Sequence, residues 1–389
     1  MESSTTTAGS DLVERARSLR SLIDEHAAAG DERGELAQPV VDALHENRIF
    51  GMWVPQSLGG SELYPVASLE LIEELTAADA STGWVTMAAS LAIGTGAAYL
   101  GDEAVEQLFG GEPERFPVIA GQGTRPGKAT ITDGGFLLSG NWSFASGIKH
   151  SGYIHTLAII EETGEPRIFV LPVEQATLID NWDVMGLRAT GSIDYTIDDV
   201  FVPEANTHIA FSESTERGNL YRLGIIHIAA ICHTGWALGV ARRMLEELRK
   251  SAQAKTGRPG QMVDSDSFHG DYARAESSYR AARAFAFETW RDVEATLDRG
   301  EPLSVRQKTI VRLAINQVTW AAHDVCLFVY RAGGTSALRA GTIQRYFRDM
   351  HAGTQHVIPG EPVLQRCGRE LAGLAPNTDW VFLDLVDAK

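Results

Sequence analysis

A block of strand-like sequence divides this chain into three parts. From about residue 116 to about residue 207, short runs of β-branched and aromatic residues alternate with Gly, Asp and Pro. The run Ile193–Val202 is close to the two-residue period of a strand, and the Asp-Gly-Gly run at 133–135 is typical of a hairpin turn. On both sides of this block, apolar residues recur at helical spacing. This order predicts a β unit inserted between two helical units.

The helical parts contain long and regular apolar patterns. After two shorter apolar stripes, the N-terminal part predicts helices at about 70–80 and 83–100, and the second is so apolar that we expect it to be buried. The C-terminal part predicts four long helices, at about 220–252, 269–297, 304–331 and 342–357. We expect the chain to be helical to its end. Helices of this length are typical of a bundle that also forms a subunit interface.

We therefore predict an α+β fold with three domains. Their predicted ranges are an N-terminal helical domain at 1–115, a central β-barrel or sandwich domain at 116–208 and a C-terminal four-helix bundle at 209–389.

Composition and charge indicate a soluble cytoplasmic protein. The net charge of −17 disfavours nucleic acid and anionic membranes as partners, because their phosphates would repel the protein. Cys232, Cys326 and Cys367 lie far apart without metal-ligand spacing, which favours reduced and buried thiols. The N-terminus lacks the apolar core of a signal peptide. The most apolar stretch, Ile225–Val240, is short for a membrane span and more typical of a buried helix.

Several common enzyme signatures are missing from the sequence. It contains no GxSxG, no HExxH, no Walker loop and no GxGxxG between a strand and a helix. Among the closely spaced histidines are His351 and His356, which lie five positions apart. On a regular helix, side chains five positions apart point roughly 140° away from each other. We therefore expect no metal site.

The most unusual local sequence is Ser139–Gly147, which reads Ser-Gly-Asn-Trp-Ser-Phe-Ala-Ser-Gly. One interpretation is an ordinary strand with a core Trp or Phe and with serines facing solvent. The other is a flat apolar platform with a hydroxyl at its edge, which suits a planar heteroaromatic cofactor. From this stretch alone, both interpretations stay open.

Four stretches in order resemble the acyl-CoA dehydrogenase superfamily over nearly the full length of the chain. Within it, the chain resembles the branch of flavin-dependent two-component monooxygenases that act on phenols, steroids, indoles, thiophenes or amines. The four stretches are 51–60 (GMWVPQSLGG), 139–147, 182–192 with 199–203 (WDVMGLRATGS and DVFVP), and 331–338 with 344–351 (RAGGTSAL and QRYFRDMH).

The resemblance implies positions for a flavin ring. Phe144 falls where the dehydrogenases place an aromatic ring against the flavin, and Ser146 falls where they place a hydroxyl near flavin N5. The segment Gln122, Gly123 and Thr124 matches the one that reaches the pyrimidine edge of the flavin. The resemblance leaves the choice between FMN and FAD open.

The resemblance also implies positions for the cofactor's phosphates. Arg258 and the pair Gly333–Gly334 fall where a neighbouring subunit of a homotetramer supplies these contacts. Arg offers a forked donor to phosphate, and glycine allows close backbone approach. The alternatives are a solvated surface charge for Arg258 and a simple helix break for the two glycines.

The resemblance separates two reactions by a catalytic base. A dehydrogenase needs a carboxylate to remove the substrate proton. Where the common dehydrogenases carry this Glu after the Arg-Asp pair, this chain has Val357, and Glu361 lies beyond Pro359. In the monooxygenase branch, a His at the place of His356 faces the reactive side of the flavin. We expect catalytic roles for His356, Ser146 and His351, with His356 at a helix C-terminus whose dipole raises its pKa.

The resemblance therefore implies the oxygenase component of a two-component monooxygenase. Reduced flavin would arrive from a separate NAD(P)H:flavin reductase, O2 would form a C4a-hydroperoxyflavin, and a small aromatic, polycyclic or amine substrate would be hydroxylated or N-oxygenated. Many phenol-type relatives carry a His where this chain has Ala92, so simple phenol hydroxylation is less favoured. The alternatives are an acyl-CoA dehydrogenase or desaturase with an unconventional base, and a scaffold without catalysis.

Overall fold

The computed structural model describes residues 4–110, 115–211, 214 and 217–388. The described helices are α1 (Ser4–Ser18), α2 (Arg20–Arg33), α3 (Gln38–Glu46), α4 (Pro65–Ala78), α5 (Ala80–Tyr99), α6 (Asp102–Phe109), α7 (Gly224–Lys255), α8 (Asp266–Asp298), α9 (Val305–Gly333), α10 (Thr335–Leu338), α11 (Thr342–Gly353) and α12 (Glu361–Leu371). The described strands are β1 (Ile119–Thr132), β2 (Gly135–Trp142), β3 (Tyr153–Ile160), β4 (Pro166–Pro172), β5 (Thr177–Ile179), β6 (Asp194–Pro203), β7 (Thr207–Ile209), β8 (Thr378–Val381) and β9 (Asp384–Asp387).

The predicted α–β–α order is confirmed, and its middle part is one seven-stranded sheet. The strand order is β5-β6-β2-β1-β3-β4-β7, and β1 and β3 form the parallel pair among otherwise antiparallel neighbours. The expected hairpin turn lies between β1 and β2, where Thr132 pairs with Gly135 and Gly134 has a φ of +74°. Glycine adopts this left-handed conformation without the penalty that a side chain would bring.

An irregularity in β1 shapes part of the wall of a cavity. The pairing of β1 with β3 shifts between Gln122 and Gly127, so the residues between them leave the ladder. Close packing fixes the far end of this bulge, because a Cβ on Gly127 would lie 2.2 Å from the Trp142 ring. A bulge of this kind bends the strand and redirects side chains. Here it brings Gln122 to the wall of a cavity.

Two apolar helices connect the helical parts to each other. Nearly all of α5 is buried, as its composition predicts. Helix α7 is the long core helix of the C-terminal bundle, and the stretch 225–240 lies within it. One stretch, Asn219–Lys255, is long and apolar enough to cross a membrane, but 83% of its apolar window is buried inside the protein. The three cysteines are buried and unpaired, as predicted.

Two predictions about the C-terminal part are wrong. The chain is not helical to its end, because β8 and β9 form a hairpin whose Trp380 donates from Nε1 to Thr309 Oγ1 at 2.8 Å. Helix α11 ends at Gly353 rather than near residue 357. Trp236 leaves no room for a side chain there, since a Cβ on Gly353 would lie 2.2 Å from its ring. The chain then turns, and the Thr354 hydroxyl donates to the His351 carbonyl at 2.7 Å.

The close packing of α5 predicts opposite effects for two neighbouring glycines. A Cβ on Gly94 would lie 2.6 Å from Trp53 Cβ and 2.9 Å from its carbonyl oxygen, whereas a Cβ on Gly96 would meet nothing closer than 3.6 Å. We expect Gly94→Ala to destabilise the fold by about 1–3 kcal/mol through overpacking. Gly96→Ala should leave the stability unchanged or raise it by up to about 1 kcal/mol, because Ala favours the helix.

The measurement is the thermal midpoint of each variant by circular dichroism. Equal midpoints for Gly94→Ala and Gly96→Ala would show that the contact between α5 and Trp53 is not tight.

Candidate functional site

A cavity of about 750 Å³ lies where the sheet, α5, α7 and the turn after α11 meet. This volume is in the range of small-molecule and cofactor sites. The walls from α5 and α7 are mostly apolar and include Met87, Leu91, Ile226 and Ala229. Polar groups come from β1 and β3, from the loops after β2 and before β6, and from α7, α11 and the turn after α11.

Phe144 is held in a strained conformation at the edge of this cavity. Its φ is +69°, and its side chain is 65% exposed. A large side chain with positive φ costs about 1–3 kcal/mol, so the surrounding structure must enforce it. The loop is tied down on both sides, since the Ala145 amide donates to the Ile193 carbonyl and the Gly147 amide to the Thr190 carbonyl. Strain combined with an exposed aromatic ring indicates a ligand contact.

A chain of hydroxyl groups begins two residues further on, at Ser146. Trp84 Nε1 donates to Ser146 Oγ at 3.1 Å, and Ser146 Oγ lies 2.7 Å from Ser192 Oγ. Ser192 Oγ lies 2.6 Å from Thr190 Oγ1, which donates to the Leu187 carbonyl at 2.7 Å. The chain thus runs from an indole N–H on α5 to a backbone carbonyl of the loop before β6.

The groups at the two ends of this hydroxyl chain, the Trp84 N–H and the Leu187 carbonyl, fix the direction of every hydrogen bond in it. A carbonyl only accepts, so the single Thr190 proton is used on Leu187 and Thr190 must accept from Ser192. Ser192 must then accept from Ser146, which itself accepts from Trp84. The Ser146 proton is therefore already used. Its oxygen keeps one free lone pair, and it can only accept a further hydrogen bond.

Three aromatic rings, Trp84, His233 and His356, line one part of the cavity, and Trp236 packs against Trp84. The Trp84 ring stands at about right angles to Trp236, with centroids 5.0 Å apart, and makes similar edge contacts with His233 and His356. The rings of His233 and His356 lie against each other at a tilt, with centroids 4.0 Å apart and an interplanar angle of 33°. The turn after Gly353 produces this contact by carrying His356 back over α7.

Burial keeps both of these histidines neutral. It lowers the pKa of His356 to about 4. Burial, together with the neighbouring His356, lowers the pKa of His233 well below its ordinary value. The expectation that a helix dipole raises the pKa of His356 is therefore wrong, because α11 ends three residues earlier and desolvation decides the shift.

The cavity wall has no ionised side chain in the part of the chain that the structure describes. Its described lining contains no Asp, Glu, Lys or Arg, and its four histidines are His155, His233, His351 and His356. Val357 lines the cavity at the position where a dehydrogenase would carry its base. The side chain of Glu361 is not part of this wall.

Beside β1, one histidine ring nitrogen has no hydrogen-bond partner among the described residues. His155 on β3 lies beside Gly121 and is only 3% exposed, and its Nδ1 has no hydrogen-bond partner among the described residues. Gly123 leaves the wall open, since a Cβ there would meet only His155 Nε2, at 3.7 Å. A flat heteroaromatic cofactor fits this set, because it would cover Phe144, donate to Ser146 and supply a partner near His155.

Comparisons with known proteins agree with this geometry. The descriptions "Acyl-CoA dehydrogenase, N-terminal domain" and "Acyl-CoA dehydrogenase, C-terminal domain" match residues 11–109 and 231–359. The chain is 31% identical over 370 residues to an indole-3-acetate monooxygenase from Acinetobacter baumannii, covering 91% of this chain and 92% of that protein. This chain belongs to the acyl-CoA dehydrogenase family.

Its relatives in this family are flavin-dependent monooxygenases. The oxygenase subunit HsaA of the flavin-dependent monooxygenase from Mycobacterium tuberculosis is 27% identical over 353 residues, covering 86% of this chain and 88% of that protein. The fold closely matches the structure of XiaF from Streptomyces sp. in complex with FADH2 and glycerol. The TM-score is 0.87 at 23% identity, covering 96% of this chain and 98% of that chain. The predicted family and fold are confirmed.

The family fold brings most of the predicted site residues together. Six of them line the one cavity, namely Gln122, Gly123, Phe144, Ser146, His351 and His356. Thr124 lies in β1, but its side chain is outside the described residues. Arg258 is exposed on the loop between α7 and α8, and Gly333 and Gly334 lie at the end of α9. These three residues do not line the cavity, and their contacts to cofactor phosphates stay a prediction.

Other residues of the site were missed from the sequence. His233 appears in the sequence only as one polar residue in an apolar helix, and its partner lies 123 positions further on. Ser192 and Thr190 belong to a stretch that resembles the family, but the hydroxyl chain becomes visible only when β2 and β6 pair. His155 has the strand-like surroundings of a core residue, and no local signal distinguishes it.

The lowered pKa of His356 predicts a pH-dependent loss of stability. Its folded-state pKa of about 4 lies below the unfolded value of about 6.5, so the unfolded chain binds more protons between these pH values. The wild type should therefore lose stability relative to His356→Gln as the pH falls from 6.5 towards 4, by up to about 1.4 kcal/mol per pH unit.

Melting curves of both proteins at pH 7, 6 and 5 measure this difference. Parallel falls of the two midpoints would contradict the neutral, buried state of His356.

Proposed function

We propose that this protein is the oxygenase component of a two-component flavin-dependent monooxygenase. It takes reduced flavin and O2 and inserts one oxygen atom into a small aromatic, polycyclic or amine substrate by hydroxylation or N-oxygenation. Bound reduced flavin, as FMN or FAD, would supply the electrons that activate O2. The observation that supports this most is a cavity that combines an acceptor-only Ser146 with walls free of carboxylate among the described residues.

The direction of the hydroxyl chain favours the reduced state of the cofactor. Reduced flavin carries a hydrogen on N5, whereas oxidised flavin has only a lone pair there. Ser146 has no proton left to give, because it donates to Ser192. It would therefore accept a hydrogen bond from N5–H of a bound reduced flavin. In that role Ser146 would keep N5 protonated, which would disfavour the release of hydrogen peroxide.

The cavity walls keep water out, and His356 supplies a polar group at the reaction site. Apolar side chains of α5 and α7 exclude water, which would otherwise compete with the substrate. His356 is neutral near pH 7, so it can hydrogen-bond to the substrate or to the departing oxygen without bringing a charge into the cavity. His351 is the second candidate, since its Nδ1 bonds to the Phe347 carbonyl at 2.7 Å and its other ring nitrogen is left for the cavity.

A dehydrogenase would need a carboxylate base, and no described residue that lines this cavity supplies one. A buried carboxylate does lie behind the wall, at Asp349, but its Oδ1 accepts from the Leu187 amide at 2.7 Å. That carboxylate does not line the cavity. A dehydrogenase would therefore need a base from outside the described wall.

We further propose how the protein works in the cell. A separate NAD(P)H:flavin reductase delivers the reduced flavin, consistent with relatives that are named as oxygenase subunits. Four copies form a homotetramer in the cytoplasm, in which Arg258, Gly333 and Gly334 of one subunit contact the cofactor phosphates of another. We also propose that the chain has three domains, at residues 1–115, 116–208 and 209–389.

Reconstitution without a reductase tests the reaction directly. The full chain is mixed anaerobically with chemically reduced FMN or FAD, oxygen is added, and indole or a phenol serves as the probe substrate. We expect an oxygenated product by mass spectrometry, with one atom of 18O from labelled O2. Bleaching of bound oxidised flavin by an acyl-CoA under anaerobic conditions, without oxygenation, would instead support the dehydrogenase. Failure of both assays would overturn both functions.

Ser146→Ala should uncouple the reaction. The variant has lost the acceptor for N5–H, so the ratio of product to hydrogen peroxide should fall at least about tenfold, which corresponds to about 1.4 kcal/mol. The matched control is Ser143→Ala, in the same loop but outside the cavity lining. Product and peroxide are measured in one reaction mixture. An unchanged ratio in Ser146→Ala would remove Ser146 from the mechanism.

A further inference from the structure

The stacked pair of His233 and His356 is a rigid polar group in an otherwise apolar part of the cavity. The Trp84 ring stands on edge against both imidazoles, at 5.1 Å from His233 and 6.0 Å from His356. Trp84 is itself fixed by its bond to Ser146. Both imidazoles line the cavity; His233 is buried and His356 is half-buried. The pair therefore presents ring nitrogens to a ligand with little freedom to reorient.

His356 is set as a donor. The backbone amide of Ile358 donates to His356 Nδ1 at 3.4 Å, a long hydrogen bond. In a neutral imidazole, the nitrogen that accepts carries no hydrogen, so the proton lies on Nε2. The other potential partners around this ring are Trp84 and His233, which contact it as rings rather than through hydrogen bonds.

His233 has kept its hydrogen-bonding capacity. No described residue forms a hydrogen bond with its ring, although its ring is packed against Trp84 and His356. A neutral imidazole has one donor and one acceptor nitrogen. Beside a fixed donor on His356, His233 is free to offer an acceptor. A hydroxyl group matches this pair, because it accepts one hydrogen bond and donates another.

The residues that line the cavity around the His233–His356 pair disfavour a negatively charged ligand. No described residue that lines the cavity is Lys or Arg, and the only basic residue outside the described ranges is Lys389. A carboxylate that entered this cavity would lose its hydration without gaining a cation. Burying an unpaired charge is strongly unfavourable.

We propose that the His233–His356 pair recognises a single hydroxyl group of an uncharged aromatic substrate, and that the cavity rejects carboxylates. This inference rests on the proposed oxygenase function and narrows its substrate class to neutral aromatic rings that carry a hydroxyl group. It distinguishes this chain from the relative named for indole-3-acetate, which is an anion at neutral pH. His233 is the specificity-determining residue that the hydroxyl contacts.

Binding experiments test the proposal without turnover. Equilibrium dialysis of the full chain, with and without oxidised FAD, compares indole-3-acetamide with indole-3-acetate, which have nearly the same shape but differ in charge. We expect the amide to bind at least about tenfold more tightly. Equal or tighter binding of the carboxylate would overturn the neutral-substrate inference, because a cation would then have to reach the cavity.

A second comparison isolates His233. The probes p-cresol and 4-methylanisole differ in the hydroxyl proton, so the wild type should prefer p-cresol by about tenfold or more. His233→Leu should abolish this preference, and His233→Asn should restore part of it. The matched control is Cys232→Ala, the preceding residue in α7, which also lines the cavity and should keep the preference.

The outcomes separate this inference from the proposed function. Circular dichroism and FAD binding establish that each variant is folded. If His233→Leu keeps the wild-type preference while folded, His233 has no recognition role and the proposal is wrong. If the binding preferences hold but reconstitution gives no oxygenated product, the oxygenase function fails and the recognition site stands.

Discussion

The indole ring of Trp84 is the contact on which the cavity depends. It belongs to α5 and packs against Trp236 and His233 of α7 and against His356 of the turn after α11. Its N–H reaches across to Ser146 in the loop after β2. One side chain therefore joins the N-terminal helices, the sheet and the C-terminal bundle at the same point. Because a ring is rigid and its single donor is used, the position of Ser146 and the stacking of the two histidines are set together.

This arrangement replaces ionised groups by neutral groups with fixed direction. An ion pair in such a cavity would lose most of its solvation, whereas a hydroxyl chain ending on a carbonyl loses little. The proton order from Ser146 through Ser192 to Thr190 follows from that carbonyl alone. Burial has the matching effect on His356, whose pKa of about 4 keeps it uncharged near neutral pH. The polar groups of the cavity thus recognise donors and acceptors rather than charge.

The sequence predicted the elements whose signals are local and missed those that depend on distant contacts. Helix α7 and the hairpin turn at 133–134 follow from periodicity and turn chemistry, and both are where they were expected. At the end of α11, Trp236 packs directly on Gly353, and these two residues lie far apart in the sequence. The motif residues Phe144 and Ser146 were predicted through resemblance. The role of His233 depends on a ring from another element, so no pattern around it indicates that role.

The Arg348–Asp349 pair shows why the fold and the chemistry separate in this family. In the dehydrogenases this pair precedes the catalytic base, but here its contacts are structural. Asp349 accepts from the Leu187 amide, and Arg348 donates to the Met185 carbonyl at 2.8 Å, so α11 holds the loop that closes one wall of the cavity. Burial and the nearby Asp79 raise the pKa of Asp349 to about 7, and the hydrogen bond from the Leu187 amide acts in the opposite direction. Val357 lines the cavity where the common dehydrogenases carry their base, while the contacts of Arg348 and Asp349 hold the adjacent loop, so one scaffold can serve different chemistries.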